Sequence, residues 1–283
     1  TLAPLAQIAN LFGRANNAKT SYKRLASFME ETQEDDVSEK NKGAIRREKL
    51  GSIEFKDTTY RYPEADLDTL RSINLSVNEG EKVAILGRNG SGKSTLMKLA
   101  SGLFKASDGL VMYDGVDIKQ LHTDDLSKSI GIVLQDVQLF SGSIRENITM
   151  GREDINQDDL INAGKLSGLD DFVSKIPGGY DLQLSDGGKG LSGGQRQSIA
   201  LARAIVHKPT HFILDEPTSA MDMNAENIFI SQMGSIMQDS TMLIVTHRMP
   251  LLNLVDRIIV MNEGQIVEDG PKEEIINKLN QPR

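Results

Sequence analysis

The stretch Ile85–Thr95, ILGRNGSGKST, constrains this chain more than any other. Three glycines, Gly87, Gly90 and Gly92, stand between a short apolar run and residues that read as the start of a helix. Glycine costs backbone entropy there, so the loop must hold something that compensates. Its spacing, G-x-x-x-x-G-K-[ST], is met by Gly87, Gly92, Lys93 and Ser94. Between strand and helix, such a loop lets backbone N–H groups converge on an anion, and the helix adds the positive end of its dipole. The object held is then a chain of phosphates, with Arg88, Asn89, Gly90, Ser91 and Thr95 completing the loop. In this reading Lys93 reaches the β- and γ-phosphates and the Ser94 hydroxyl ligates Mg²⁺.

The surroundings fit a fold that presents such a loop. KVAIL, ending at the loop, IGIVL, HFILD, MLIVT and RIIVM are short runs rich in Ile and Val, with helical stretches between them. They read as parallel strands buried on both faces. Before them SIEFKDTTYRY and SINLSV alternate as antiparallel strands do. From about 140 to 206 the chain is mostly helical, with a glycine-rich interruption at Gly187–Gly194. The expected fold class is therefore α/β: a phosphate-loop core with a parallel sheet, an N-terminal antiparallel portion, and an inserted helical subdomain.

Two domains are expected, at 1–49 and 50–283. In the first, Leu5, Ile8, Phe12, Ala15, Ala18, Tyr22, Leu25 and Met29 form one stripe of a helix. A charged tether, ETQEDDVSEKNKGAIRREK, follows it. The helix reads either as an amphipathic element of its own domain or as a stub arriving from a missing neighbour. At 283 residues with a formal charge of -8, the chain does not suit a nucleic-acid binder that relies on net positive charge. It has no cysteine, which excludes disulfides, thiolate metal sites and a catalytic thiol. No apolar run approaches the roughly 18 residues of a membrane span.

HFILDEP delivers Asp215 and Glu216 at the carboxyl end of a strand, where open α/β sheets bind ligands. Such a pair is often only a strand end. Joined to the glycine loop it makes a nucleotide hydrolysis site, with Asp215 on Mg²⁺ and Glu216 taking a proton from an attacking water. LSGGQRQ, from Leu191 to Gln197, then supplies a second serine and two more glycines before a helix expected to begin near Gln195. One triphosphate hardly needs two anion-binding helix starts. The economical explanation is that the second loop serves the nucleotide of a partner chain.

With these motifs the chain resembles the nucleotide-binding domain of ABC transporters, from about Leu50 to the C-terminus. The resemblance implies that Leu191, Ser192, Gly193, Gly194 and Gln195 are the signature motif, acting across a head-to-tail homodimer with two ATP molecules between the copies. It further implies that Tyr62 in YRYP stacks on adenine, with Tyr60 the lesser candidate. Gln135 in VLQD would sense Mg²⁺ and the attacking water, Asp222 in SAMD would stand at the dimer seam, and His247 in VTHR would contact the γ-phosphate. The implied catalytic group is Glu216, His247, Lys93 and Gln135. The implied Mg²⁺ ligands are Ser94, Gln135 and Asp215.

LSDGGKGLSGGQRQSIALARAI, DEPTSAMD and VTHRMPLLNLVDRIIVMNEGQIVEDGPKEEI look like ATPases of type I protein secretion systems, and so does the opening LAPLAQIANLFGRANNAKTSYKRLASFM. That opening is similar to the end of a last membrane helix, which favours a permease stub. Asp186 stands where such exporters often carry glutamate, a change that keeps the charge. The resemblance implies a domain on the cytoplasmic face of the bacterial inner membrane, fused to a transmembrane permease. It also implies a periplasmic adaptor, an outer-membrane channel, and a protein, toxin or adhesin as cargo. A lipid or drug exporter shares every catalytic motif and stays open as an alternative. A soluble ABC ATPase not tied to transport is the reading from a different class. It usually has a coiled-coil insertion or tandem cassettes, and this chain shows neither.

Overall fold

The computed structural model describes Lys19, Ser21, Tyr22 and residues 43–279. The chain divides into the units Thr1–Ala44 and Ile45–Arg283. The expected stripe helix and charged tether lie almost wholly outside the described residues. Lys19, Ser21 and Tyr22 are helical.

The second unit is built on two main sheets. Strands β1 (Ile53–Tyr60), β2 (Leu70–Val77), β4 (Asp108–Tyr113) and β5 (Val116–Asp117) form a four-stranded antiparallel sheet in the order β2-β1-β4-β5. The larger sheet has β3 (Lys82–Gly87), β6 (Ile130–Val133), β9 (His211–Asp215), β10 (Thr241–Val245), β11 (Arg257–Asn262) and β12 (Gln265–Pro271), in the order β12-β11-β3-β10-β9-β6. Its strands run parallel except β12, which pairs antiparallel with β11. Two short strands distant in sequence, β7 (Gly142–Ser143) and β8 (Gln183–Leu184), pair antiparallel.

The helices are α1 (Lys93–Ala100), α2 (Thr123–Ser129), α3 (Ile144–Thr149), α4 (Gln157–Leu166), α5 (Asp170–Val173), α6 (Gly193–Ile205), α7 (Met223–Ile236) and α8 (Lys272–Leu279). Those from α3 to α6 occupy the stretch expected to be a helical insertion. The small β7–β8 pairing within it carried no sequence signal, since two residues per strand are too few for a period.

Strict alternation along the central strands explains the core. Phe212 and Leu214 of β9, Met242 and Ile244 of β10 and Ala84 of β3 face one apolar cluster, with Ile144, Ile148, Leu160 and Ile199 from the helical segment. Ile213, Leu243, Val245, Val83 and Ile85 face the other, which holds the antiparallel sheet and α1. Every residue of β9 and β10 is buried. That is why these strands read as continuous apolar runs rather than as amphipathic ones.

Register fixes the site. Val245 pairs with both Ile85 and Asp215, so the carboxyl ends of β3, β10 and β9 finish side by side. The glycine loop, the residues after Asp215 and the turn after Val245 therefore leave the sheet at one edge, where open α/β sheets bind ligands.

Candidate nucleotide site

The glycine loop is held by sterics as much as by conformation. Gly87 has φ 151°, and a Cβ there would sit 2.3 Å from the Met261 carbonyl oxygen and 2.7 Å from Ser91 Oγ. Gly92 has φ 98°, and a Cβ there would sit 2.6 Å from Leu70 Cδ2. Gly90 meets nothing within 4 Å, so its φ of 81° alone asks for glycine. A support missed from sequence lies behind the loop: the N–H of Gly264, in the β11–β12 turn, donates to the Ser91 carbonyl at 3.1 Å. No local pattern pairs residues so far apart.

Lys93 opens α1 and is buried. Its ammonium donates to the carbonyls of Gly87 and Arg88, each at 2.9 Å. Burial lowers the lysine pKa, while Asp215 and Glu216 pull it back up.

The loop, Asp215 and Glu216 border one cleft of about 520 Å³. It brings together Asn89, Gly90, Gly92, Lys93, Ser94, Thr95, Gln135, Asp215, Glu216 and His247 from the sequence-derived set. Thr69, Ser219, Val245 and Arg248 join them without having been singled out. Thr69 comes from the turn before β2, where its type signals nothing. Arg248 follows His247 directly and reaches Glu226 at 3.3 Å and the Ser219 carbonyl at 3.4 Å.

The two acidic residues differ in their surroundings. Asp215 is 2% exposed, and its Oδ1 has no hydrogen-bond partner. Burial raises its pKa, opposed by a hydrogen bond with Ser94 and by the charge of Lys93. Glu216 sits just past the strand with φ 51°, in the left-handed region. Its N–H donates to the Val245 carbonyl at 2.9 Å. Its Oε1 lies 3.5 Å from His247 Nε2, too far to count as a hydrogen bond, and has no other partner. Burial raises the Glu216 pKa, opposed by the charge a protonated His247 would carry and by a hydrogen bond from the His247 backbone N–H.

The remaining expected residues lie elsewhere. Gly87, Arg88 and Ser91 form the back of the loop. Tyr62 is absent from the cleft lining but touches it through its hydroxyl, 3.1 Å from Thr95 Oγ1. Its ring meets Tyr60 and Phe104 edge-on at 5.1 and 5.7 Å. Tyr60 is buried against Phe104 and has no free face to offer.

Leu191, Ser192, Gly193, Gly194 and Gln195 contribute nothing to this chain's own cleft lining. Ser192 caps α6 instead. Its Oγ accepts from the Gln195 N–H at 3.2 Å, while the Gln195 side chain accepts from the Ser192 N–H at 2.8 Å. The helix thus begins at Gly193, not near Gln195. The S-x-x-Q spacing of a capping box gave that start away. Asp222 caps α7 by accepting from the Ala225 N–H at 2.8 Å.

Comparison with known proteins agrees with this geometry. Residues 70–219 match the family model described as ABC transporter. The leukotoxin export ATP-binding protein LtxB of Aggregatibacter actinomycetemcomitans is 38% identical over 97% of this chain and 38% of its own length. The cyclolysin secretion/processing ATP-binding protein CyaB of Bordetella pertussis is 37% identical, over 96% of this chain and 38% of its own. The leukotoxin translocation ATP-binding protein LktB of Mannheimia haemolytica is 38% identical, over 99% and 39%. This chain therefore spans less than two fifths of those relatives. A bacterial Atm1-family ABC exporter with ATP bound has a similar structure, with TM-score 0.75 and 31% identity over 82% of this chain and 40% of that one. A phosphate loop at a sheet edge, two carboxylates beside it and a family match over more than half its length place the chain in the ABC transporter family, as an ATP-binding ATPase domain.

Proposed function

We propose that this domain hydrolyses ATP in a head-to-tail pair with a second copy, and so powers export of a polypeptide through a fused membrane permease. The observation that carries the hydrolysis reading is the pair of buried carboxylates at the cleft. Asp215 Oδ1 and Glu216 Oε1 both lack hydrogen-bond partners beside the loop that holds Lys93. Buried polar atoms are rarely left unpaired unless a ligand or ion completes them.

The donor set suits Mg²⁺. Ser94 and Asp215 are hydrogen-bonded to each other, and Gln135 borders the same cleft, so the available ligands are all oxygen. Among the described residues no cluster of three or more His, Cys, Asp or Glu is found, and none is needed where phosphates supply the other ligands. Bound there, Mg²⁺ neutralises charge on the phosphate oxygens.

This chain's residues do the rest. Lys93 and the loop N–H groups hold the phosphates. Glu216 takes the proton of the attacking water, made more basic by its burial. His247 stands beside it to meet the terminal phosphate. Tyr62 offers an aromatic face to the base. Ser192, Gly193 and Gly194 present a helix N-terminus to the partner's phosphates. Each part occurs once, so two identical chains complete two sites under two-fold symmetry.

The export reading rests on relatives named for leukotoxin export and translocation and for cyclolysin secretion, which match at least 96% of the chain and so most of its first 49 residues. Those residues are then the cytoplasmic end of the permease. The domain works at the cytoplasmic face of a bacterial inner membrane, with a periplasmic adaptor and an outer-membrane channel as partners.

Glu216→Gln tests the hydrolysis reading. It should keep ATP affinity, cut turnover about 10²- to 10⁴-fold, and trap an ATP-bound dimer on size exclusion. Near-normal turnover would assign the base elsewhere. In the full-length protein the same change should stop secretion of a polypeptide cargo. Unchanged secretion would overturn the export assignment.

A further inference from the structure

Gln197 lies on α6, five residues past the cap at Ser192, and is 2% exposed. Both ends of its amide are engaged. Nε2 donates to the Glu216 carbonyl at 3.0 Å, and Oε1 accepts from the Ala220 N–H at 3.1 Å. A glutamine in mid-helix carries no sequence signal of such a role, and the residue falls outside the cleft lining.

What it holds is unusual. Glu216 has φ 51°, a conformation sparsely populated by residues other than glycine, which persists only where the surroundings over-determine it. Three hydrogen bonds do so here: the peptide N–H donates to the Val245 carbonyl, and the Glu216 carbonyl accepts from the Ser219 N–H at 3.1 Å and from Gln197 Nε2 at 3.0 Å. The carboxylate itself has one tether, a hydrogen bond from the His247 backbone N–H; its Oε1 has no hydrogen-bond partner and lies beside the His247 ring. The aim of that carboxylate therefore depends on the aim of its backbone, and Gln197 is the one side chain among the groups that hold that backbone.

The other arm of the amide leads to the signature loop. A Cβ on Gly193 would stand 3.0 Å from the Ala220 Cβ, so the start of α6 packs on the same residue whose N–H Gln197 holds. Signature loop, Ala220 and Glu216 thus meet at one buried amide.

We propose that Gln197 is a positioning residue, which aims Glu216 and ties that aim to the seating of its chain's signature loop on the partner's nucleotide. The proposal rests on the ATPase reading above. Pulling the start of α6 toward the neighbour's phosphates moves Gln197, and with it the base of the chain's own site. One site's occupancy is thereby felt at the other.

Gln197→Met keeps the volume and removes both hydrogen bonds. Gln197→Glu keeps an acceptor for the Ala220 N–H and removes the donor to Glu216. Each should lower kcat about 10- to 100-fold, the scale of an ångström-sized misplacement of a reacting group. The KM for ATP should stay within about twofold of the parent, and the Hill coefficient for ATP should fall toward one. In the Glu216→Gln background, neither change should lower the single-turnover rate by more than about twofold, because a residue that acts through the carboxylate has nothing left to position.

A kcat unchanged in both variants overturns the proposal. So does an equal loss with and without the Glu216 carboxylate, which is the mark of a merely structural role. A Hill coefficient that stays at the parent value while kcat falls overturns the link to the signature loop. Gln197→Glu decides alone if the methionine variant fails to fold. Failure of the underlying reading shows separately, as turnover surviving in Glu216→Gln before any change at Gln197.

Discussion

His247 Nε2 stands 3.5 Å from Glu216 Oε1, the histidine half-exposed and the glutamate largely covered. The two come from turns after neighbouring parallel strands, β10 and β9, whose register sets Val245 beside Asp215. Burial holds the Glu216 carboxyl above its ordinary range, and a positive His247 pulls it back down.

A pH profile follows from that pair. A base must be ionised to act, so the acid limb of kcat/KM should fall above the ordinary glutamate value of about 4.3. His247→Ala removes the ring whose charge opposes the effect of burial on Glu216, so the limb should move to still higher pH, with a lower plateau. A limb at or below the ordinary value, or one that moves downward in the variant, contradicts this electrostatic account.

Nucleotide choice is the second expectation. An aromatic face at Tyr62 stacks on any purine and makes no hydrogen bonds that single out adenine. ATP and GTP should both bind, and Tyr62→Ala should weaken both by a similar factor, about 1–3 kcal/mol if the stack resembles base–aromatic stacking elsewhere. Tyr62→Phe loses only the hydroxyl contact with Thr95 and should cost less. Titration calorimetry with both nucleotides measures this, and unchanged affinity in Tyr62→Ala rules the stack out.

Asp215 gives a stability test. Its folded pKa is raised, chiefly by burial. Such a group contributes stability that is complete below its unfolded pKa, near 3.9, and is lost as pH rises through the folded value. At neutral pH the ionised form therefore weakens the ligand-free fold. Asp215→Asn should raise the melting temperature at pH 7, by roughly 2–4 °C for each kcal/mol relieved, and abolish Mg²⁺-dependent turnover. The gain should vanish by about pH 3–4. A lower melting temperature at pH 7 would show that Lys93 and Ser94 outweigh burial.

The elements that were legible in the sequence are those with local signals. Gly87–Lys93 announces itself through residues whose types the loop geometry demands, and β9 through an apolar run that ends at Asp215. A parallel sheet followed from buried strands that alternate with helices, whereas its strand order, β12-β11-β3-β10-β9-β6, carried no sequence signal. What stayed hidden depends on contacts between distant segments. Thr69 and Gly264 reach the glycine loop from turns with no distinctive spacing. Gln197 stood in plain view in LSGGQRQ, yet only tertiary packing shows its amide between Glu216 and Ala220. The start of α6 is readable from Ser192 and Gln195 as a capping box, although the two glycines inside its first turn are poor helix formers.

In the proposed dimer the signature loop serves the neighbouring chain's cleft, and the absence of cysteine allows a clean test. Asn89 is exposed at the cleft and Ser192 is exposed at the start of α6. Asn89→Cys and Ser192→Cys would be placed on separate chains, both in the Glu216→Gln background so that ATP persists. Mixing the chains under mild oxidation should give a disulfide-linked dimer that requires ATP and Mg²⁺, while neither chain alone gives one. A chain carrying both cysteines that closes the bridge within itself, or a mixture that gives no ATP-dependent bridge, would contradict the account.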